Sequence, residues 1–143
     1  MGRAVTARHY PMYEGPPMDT KEILSVYVVL NGSLGMTPGK AAAMAFHCGW
    51  LVGNVFPRDA MVDAALYARL YEWTAQGRRV VTRLAETIAT FERVKRECDG
   101  YVQRDEGMTE VDHGAEVAFV TFPLRRDEIP TVLTHKKVQL YRG

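Results

Sequence analysis

The chain has 143 residues, of which 47% are hydrophobic and 24% are charged, a balance that predicts one globular domain large enough to bury a core. Its formal net charge is +1 at pH 7, so the overall charge does not by itself indicate a nucleic-acid partner. No apolar run approaches the roughly 20 residues that a membrane helix needs. Residues 1–20 contain charges and prolines but no apolar signal-peptide core. These features predict a cytoplasmic protein that does not bind a membrane.

The first third of the chain divides into an arm and the start of a folded domain. Residues 1–20 are expected to form an extended arm, because their prolines oppose a helix and they show no strand alternation. Residues 21–143 are expected to form a single domain. Residues 23–30 are almost continuously apolar, which predicts a central strand covered on both faces. A helix is predicted over residues 38–52, with proline in its first turn.

The middle of the chain alternates between predicted helices and strands. Apolar residues at helical spacing predict a second helix over residues 58–75. A short strand is predicted at 80–84 and a third helix at 85–98, with Ile88 among its inward residues. Gly100 follows this helix closely and is expected to form its C-terminal cap.

The last part of the chain predicts the remaining strands. Strands are expected at residues 101–104 and 117–122, followed by a short helix over 125–133 that Pro130 interrupts. Residues 138–141 are expected to form a terminal strand or an extended tail. The predicted fold is therefore α/β, a small mixed sheet of about four strands with helices on both faces, in three layers.

A strand–turn–helix junction at residues 34–47 carries the first chemical signal. The apolar strand leads into a glycine-rich turn, and a helix then opens at Lys40. A cation and free backbone N–H groups at a helix N-terminus suit a phosphate or a developing oxyanion. His47 lies about two helical turns later, on roughly the same face, and is expected to be a hydrogen-bonded core residue.

A second signal lies in the polar segment that follows the third predicted strand. Asp105 ends that strand, and Thr109 and Glu110 follow within six residues. Ligands bind beyond the carboxyl ends of strands in open α/β sheets, although an aspartate at such a position also commonly forms a turn. If the first helix starts beside this edge, Lys40 and Asp105 face each other. We expect their polar atoms to lie within about 8 Å, with room for one bridging group, in a cleft shared with Thr109.

The other nucleophiles and metal ligands suggest no further site. Cys48 and Cys98 lie far apart and match no zinc or redox spacing, which predicts two reduced, semi-buried thiols. Ser/His/Asp and Cys/His nucleophile motifs are missing, and the histidines show no metal-ligand spacing. We therefore expect no metal ion and no cofactor.

Three separated blocks resemble the archaeal- and eukaryotic-type (class II) peptidyl-tRNA hydrolases. The pattern L-G-M-x-x-G-K-x-A-A-Q-x-x-H is matched at Leu34, Gly35, Met36, Gly39, Lys40, Ala42, Ala43 and His47. The pattern W-x-x-x-G is matched at Trp73 and Gly77, and R-D-A-G-x-T-Q-x-x-P-G at Arg104, Asp105, Gly107, Thr109 and Gly114. The order and spacing agree over roughly residues 22–141.

This resemblance implies hydrolysis of the ester that joins a peptide, or an N-blocked amino acid, to tRNA, and it suggests a homodimer. We assign catalysis to Lys40 at the oxyanion or terminal phosphate, Asp105 at the attacking water, and Thr109 as a hydrogen-bonding hydroxyl. The residues expected to bind substrate are Gly39, Arg104, Gly107 and Glu110.

Four departures from the family pattern keep a second interpretation open. Pro38 stands where many members have lysine, Met44 and Glu110 replace glutamines, and His113 replaces a proline. The alternative is an inactive or repurposed module of the same fold that binds an RNA end, a small metabolite or a protein.

Because the net charge is near zero, tRNA binding would require a local basic patch. Candidates for this patch are Lys40 and the arginine pairs Arg78–Arg79 and Arg125–Arg126.

Overall fold

The computed structural model describes residues 7–9, 15–105, 114–135 and 138–141. The strands are β1 (Val26–Asn31), β2 (Val80–Ala85), β3 (Gly100–Arg104), β4 (Glu116–Thr121) and β5 (Val138–Leu140). The α-helices are α1 (Pro38–Ala60), α2 (Ala64–Ala75) and α3 (Ile88–Glu97). Short 3-10 helices lie at Gly32–Leu34, Arg126–Glu128 and Thr131–Thr134. Among the described residues, none of the helices is both long and apolar enough to span a membrane.

The five strands form one mixed sheet in the order β3-β4-β1-β2-β5. Strands β1 and β2 are parallel, whereas β4 runs antiparallel to both β1 and β3, and β5 runs antiparallel to β2. Strands β1, β2 and β3 therefore point the same way, and their carboxyl ends meet at one edge. The α/β prediction is confirmed, with five strands rather than about four, because residues 138–140 pair with β2.

Alternation along β1 builds a core on each face of the sheet. Val26, Val28 and Leu30 belong to the core beneath α1 and α2, whereas Tyr27 and Val29 belong to the core beneath α3. Both sets are almost fully buried. A central strand that is covered on both faces needs this nearly continuous apolar sequence.

Helix α1 is longer than predicted, continuing past residue 52 to Ala60 with Pro57 inside it. The side chain of Phe56 is fully buried, and its ring lies 5.1 Å from the ring of Tyr101 and 4.8 Å from that of Phe122. This packing holds the last turns of the helix even though Pro57 removes one helical hydrogen bond. The predicted end at residue 52 was wrong, because contacts with residues distant in sequence hold the helix beyond it.

Helices α2 and α3 both begin later than predicted. Helix α2 starts after Asp63, whose carboxylate accepts hydrogen bonds from the backbone N–H groups of Ala65 and Leu66. Helix α3 starts after Thr87, whose hydroxyl accepts from the Thr90 N–H, and Ile88, expected to face inward, is 55% exposed. In both cases the side chain that caps the helix fixes its first residue.

Two predictions about the second half of the chain are corrected by backbone geometry. Gly100 does not cap α3 but is the first residue of β3, where a Cβ atom would lie 2.0 Å from the carbonyl oxygen of Val120. The helix expected over 125–133 is replaced by two 3-10 helices, separated at Pro130. A proline at that position cannot donate the hydrogen bond that would join them.

The role of Phe56 gives a test with a matched control on the same helix. We expect Phe56→Ala to lower the free energy of unfolding by about 3–5 kcal/mol, because it removes a fully buried ring. Phe46 is 78% exposed on α1, so Phe46→Ala should change stability by less than about 0.5 kcal/mol. Urea denaturation measures both, and equal losses would contradict the assignment of Phe56 as the anchor of α1.

Candidate functional site

The end of β1 is shaped so that α1 begins directly beyond the carboxyl edge of the sheet. The Asn31 side chain accepts a hydrogen bond from the Ser33 N–H and starts the first 3-10 helix, which ends at Gly35 with φ of 64°. The Thr37 hydroxyl then accepts from the backbone N–H of Lys40 and caps α1. Lys40 is therefore fixed in the first turn of the helix.

The segment after β3 is closed by two backbone hydrogen bonds. The Asp105 N–H donates to the carbonyl oxygen of Ala115 at 2.9 Å, and the Gly114 N–H donates to the carbonyl oxygen of Asp105 at 2.5 Å. Gly114 has a φ of 81°, a conformation that glycine adopts without strain. These bonds fix the backbone of Asp105 where β3 ends.

Lys40 and Asp105 meet as a buried ion pair. The Lys40 ammonium donates to Asp105 Oδ1 at 2.7 Å, although the residues are 65 positions apart in sequence. The Lys40 side chain is 5% exposed and the Asp105 side chain 2%. The predicted proximity is confirmed, but the pair is in direct contact and leaves no space for the expected bridging group.

The burial of this pair is costly enough to require an explanation. Removing two charges from water costs several kcal/mol per ion, which their mutual attraction at best offsets. A buried salt bridge is thus weak evidence for a purely stabilising role. The pair also lies at the carboxyl edge of an α/β sheet, which is where ligands bind in such sheets, and this position makes it a candidate functional site.

The remaining predicted site residues divide into two groups. Gly39 is exposed in the first turn of α1, and Arg104 is exposed at the end of β3, where it contacts the Gly114 carbonyl oxygen and the Glu116 carboxylate. Gly107, Thr109 and Glu110 lie outside the described residues, so their positions relative to Lys40 stay predictions.

His47 and Met44 occupy different environments on α1. His47 is exposed, so its assignment as a core residue was wrong. The buried stripe of α1 passes through Ala41, Met44 and Cys48, and His47 lies outside it. Met44 is 3% exposed and follows Lys40 by one turn, so the position that is glutamine in the resembled family faces the apolar core here.

Sequence reasoning missed Asn31 and Glu116, two polar residues that organise the same edge. Asn31 is 2% exposed, and its side-chain amide donates to the Glu116 carbonyl oxygen at 2.9 Å. The Glu116 carboxylate accepts from Lys95 and Arg104, and its hydrogen bond is the main cause of the raised pKa of Lys95. A polar residue at the end of a continuous apolar strand was the available signal for Asn31.

The two cysteines form no disulfide, and both are buried rather than semi-buried as predicted. Burial raises the pKa of the Cys48 thiol to about 12 and, with the nearby Glu97 and Asp99 charges, that of Cys98 to about 11. Neither thiol is a nucleophile at neutral pH, since nucleophilic attack needs the thiolate. In the described parts of the chain, no three His, Cys, Asp or Glu side chains are grouped so as to hold a metal ion.

The candidate basic patch is divided between opposite edges of the sheet. The Arg78–Arg79 pair precedes β2 and the Arg125–Arg126 pair follows β4, so both lie at the amino edge of β1, whereas Lys40 lies at its carboxyl edge. Six-residue strands separate these edges by about 20 Å. Arg125 also contacts the carboxylates of Glu22 and Glu72.

Comparison with known proteins adds no assignment, because no protein-family model matches the chain and no curated protein matches it in sequence. The class II peptidyl-tRNA hydrolase family therefore stays an expectation from the three motif blocks.

The buried pair predicts strong energetic coupling between Lys40 and Asp105. We expect Lys40→Met to cost about 3–5 kcal/mol of unfolding free energy, because it leaves a carboxylate buried without its ammonium. The double variant Lys40→Met/Asp105→Asn should lose clearly less than the sum of the two single variants.

Arg93 supplies a control for that measurement, since its ion pair with Glu97 is about 40% exposed. Arg93→Met should cost less than about 1 kcal/mol. Urea denaturation of all four variants gives the coupling free energy. Additive effects of the Lys40 and Asp105 substitutions would show that the pair is not coupled.

Proposed function

We propose that this protein hydrolyses the ester that joins a peptide or N-blocked amino acid to tRNA. The observation that carries the proposal is the buried Lys40–Asp105 pair, at 2.7 Å, where β3 ends and α1 begins. Two residues from separate motif blocks, both expected at the reaction centre, are in contact there. The resemblance of the three blocks supplies the substrate class.

The chemistry needs a water activated for attack, stabilisation of an oxyanion, and a proton for the ribose oxygen that leaves. The Asp105 carboxylate accepts a proton from the attacking water. The Lys40 ammonium and the N-terminus of α1 stabilise negative charge on the carbonyl oxygen as the tetrahedral intermediate forms. The proton on Asp105 then passes to the leaving ribose oxygen. Substrate has to enter beside the pair, and Thr109 supplies a hydroxyl to the water or the ester.

Gly39 supports a ligand at this helix N-terminus. A Cβ atom at Gly39 would meet no heavy atom of the described residues within 4 Å, and its φ lies outside the left-handed region. The described residues therefore do not require glycine at this position, and glycine in the interior of a helix generally costs stability relative to alanine. Close approach of a substrate to the backbone is a physical reason for a glycine there.

For this reaction the partner is peptidyl-tRNA, and the protein acts in the cytoplasm, where translation releases that substrate. The homodimer suggested by the resemblance stays a prediction, which sedimentation equilibrium on the full chain would test.

Asp105→Asn tests the reaction directly. We expect it to lower the rate of peptidyl-tRNA hydrolysis by about 10²-fold or more, because the amide cannot accept the proton from water. Lys40→Ala should cost a similar factor, about 3 kcal/mol of barrier, through lost oxyanion stabilisation. Release of N-acetylaminoacyl groups from purified tRNA measures both rates.

Asp63→Asn is the matched control for this substitution. The far end of α1 lies about 30 Å from Lys40 along the helix axis, and Asp63 caps α2 just beyond it. Asparagine caps helices as well as aspartate does. Its hydrolysis rate should equal that of the wild type. A folded wild-type protein with no activity above the uncatalysed rate would refute the proposed reaction.

Gly39→Ala separates substrate approach from folding. We expect unchanged or slightly higher stability and a loss of hydrolysis of about 10-fold or more, because the added methyl group occupies space that the substrate needs. Gly49→Ala makes the same change on α1, also in open space, and should raise stability by about 0.5–1 kcal/mol without loss of activity. Full activity in Gly39→Ala would contradict substrate contact at this helix terminus.

A binding module of the same fold is the second candidate function, and the burial of the site favours it. The Lys40 and Asp105 charges neutralise each other and are almost inaccessible, and Met44 places an apolar side chain one turn away. Under this alternative, tRNA would bind without turnover. Binding of peptidyl-tRNA with no release of its acyl group, in a protein that melts cooperatively, would establish it.

A further inference from the structure

A cleft of about 360 Å³ lies at the amino edge of the sheet, on the face that α3 covers. Ser25, Tyr27, Arg79 and Arg126 line it. The Lys40–Asp105 pair lies at the opposite edge and on the α1 side. The cleft is therefore distinct from the proposed reaction centre, and binding of a ligand there does not depend on the proposed hydrolysis.

The two arginines bring positive charge to the cleft. Among the described residues, neither Arg79 nor Arg126 forms an ion pair, whereas the neighbouring Arg125 contacts Glu22 and Glu72. Asp127 lines a second depression together with Arg126 and Lys21, and it forms no ion pair with Arg126. Two guanidinium groups present planar sets of N–H donors suited to the oxygens of a phosphate.

Ser25 and Tyr27 add two neutral hydroxyl donors to the same cleft. Ser25 is 5% exposed and Tyr27 6% exposed, yet neither hydroxyl has a hydrogen-bond partner among the described residues. Neither oxygen is among the fully buried atoms that lack a partner, so both hydroxyls are open to the cleft and can donate to a ligand with acceptor oxygens. A phosphate monoester carries about −1.5 to −2 charges and three such oxygens at pH 7.

The rest of the lining indicates that the ligand has an apolar body. Ile23, Leu124 and Ile129 complete one wall with the ring of Tyr27. Inorganic phosphate would leave this wall without a partner, whereas a compact ring attached to the phosphate would cover it. We propose that this cleft binds a small phosphate monoester with an apolar or planar body, the phosphate on Arg79 and Arg126 and the body against the apolar wall.

Titration of the full chain with phenyl phosphate, followed by calorimetry, tests the proposal. We expect saturable 1:1 binding with Kd below about 1 mM. Arg79→Gln and Arg126→Gln should each weaken it by about 10-fold or more, because each removes charge-assisted hydrogen bonds. Arg96 is exposed on α3 and has no ion-pair partner among the described residues, so Arg96→Gln is the matched control and should leave Kd unchanged.

Two further measurements test the contributions of the Tyr27 hydroxyl and of the apolar wall. Tyr27→Phe should retain the wild-type melting temperature, since its hydroxyl has no described partner, and should weaken phenyl phosphate severalfold. Inorganic phosphate should bind about 10-fold more weakly than the ester, because it cannot cover the apolar wall. Failure of phenyl phosphate to saturate, or equal losses in Arg96→Gln and Arg79→Gln, would overturn the proposal. Displacement of phenyl phosphate by single-stranded RNA without terminal phosphates would overturn it in favour of a backbone-binding surface.

Discussion

The contact between Lys40 and Asp105 constrains how the carboxyl edge of this protein is built. An ion pair with both side chains at most 5% exposed gains stability only when its geometry is held closely. The Thr37 cap fixes the backbone of Lys40, and the hydrogen bonds to Ala115 and from Gly114 fix that of Asp105. The sheet brings these two backbone segments together. Strand β4 pairs with both β1 and β3, so the end of β3 lies near the start of α1, which follows β1.

The sequence could predict that Lys40 and Asp105 lie close together, because neighbouring strands in a sheet run either parallel or antiparallel. Lys40 follows β1 and Asp105 follows β3. Because these two strands run in the same direction, their carboxyl ends lie at the same edge of the sheet. Local sequence could not predict the end of α1, because Phe56 is held by Tyr101 and Phe122 across the fold. The same limit explains why His47 was wrongly assigned to the core. Helical periodicity predicts which residues share a face of the helix, but it does not predict what packs against that face.

The two edges of the sheet differ chemically in a way that a net charge of +1 conceals. At the carboxyl edge the Lys40 cation is matched by a carboxylate and removed from water. At the amino edge the guanidinium groups of Arg79 and Arg126 have no described acidic partner. A ligand at the first edge has to compete with an existing ion pair, whereas an anion at the second meets positive charge directly. The two edges, about 20 Å apart, therefore present different electrostatic environments to an anion.

Three glycines show how structural and functional reasons for one residue type can be separated. Gly35 has a φ of 64°, and Gly100 lies where a Cβ atom would overlap the carbonyl oxygen of Val120, so the backbone alone accounts for both. Gly39 has neither property, although it lies in the same motif block as Gly35 and next to the buried Lys40. Its helical conformation would suit alanine better. The backbone thus explains the glycine that shapes the route from β1 to α1 and the one that starts β3, whereas the described residues give no structural reason for Gly39.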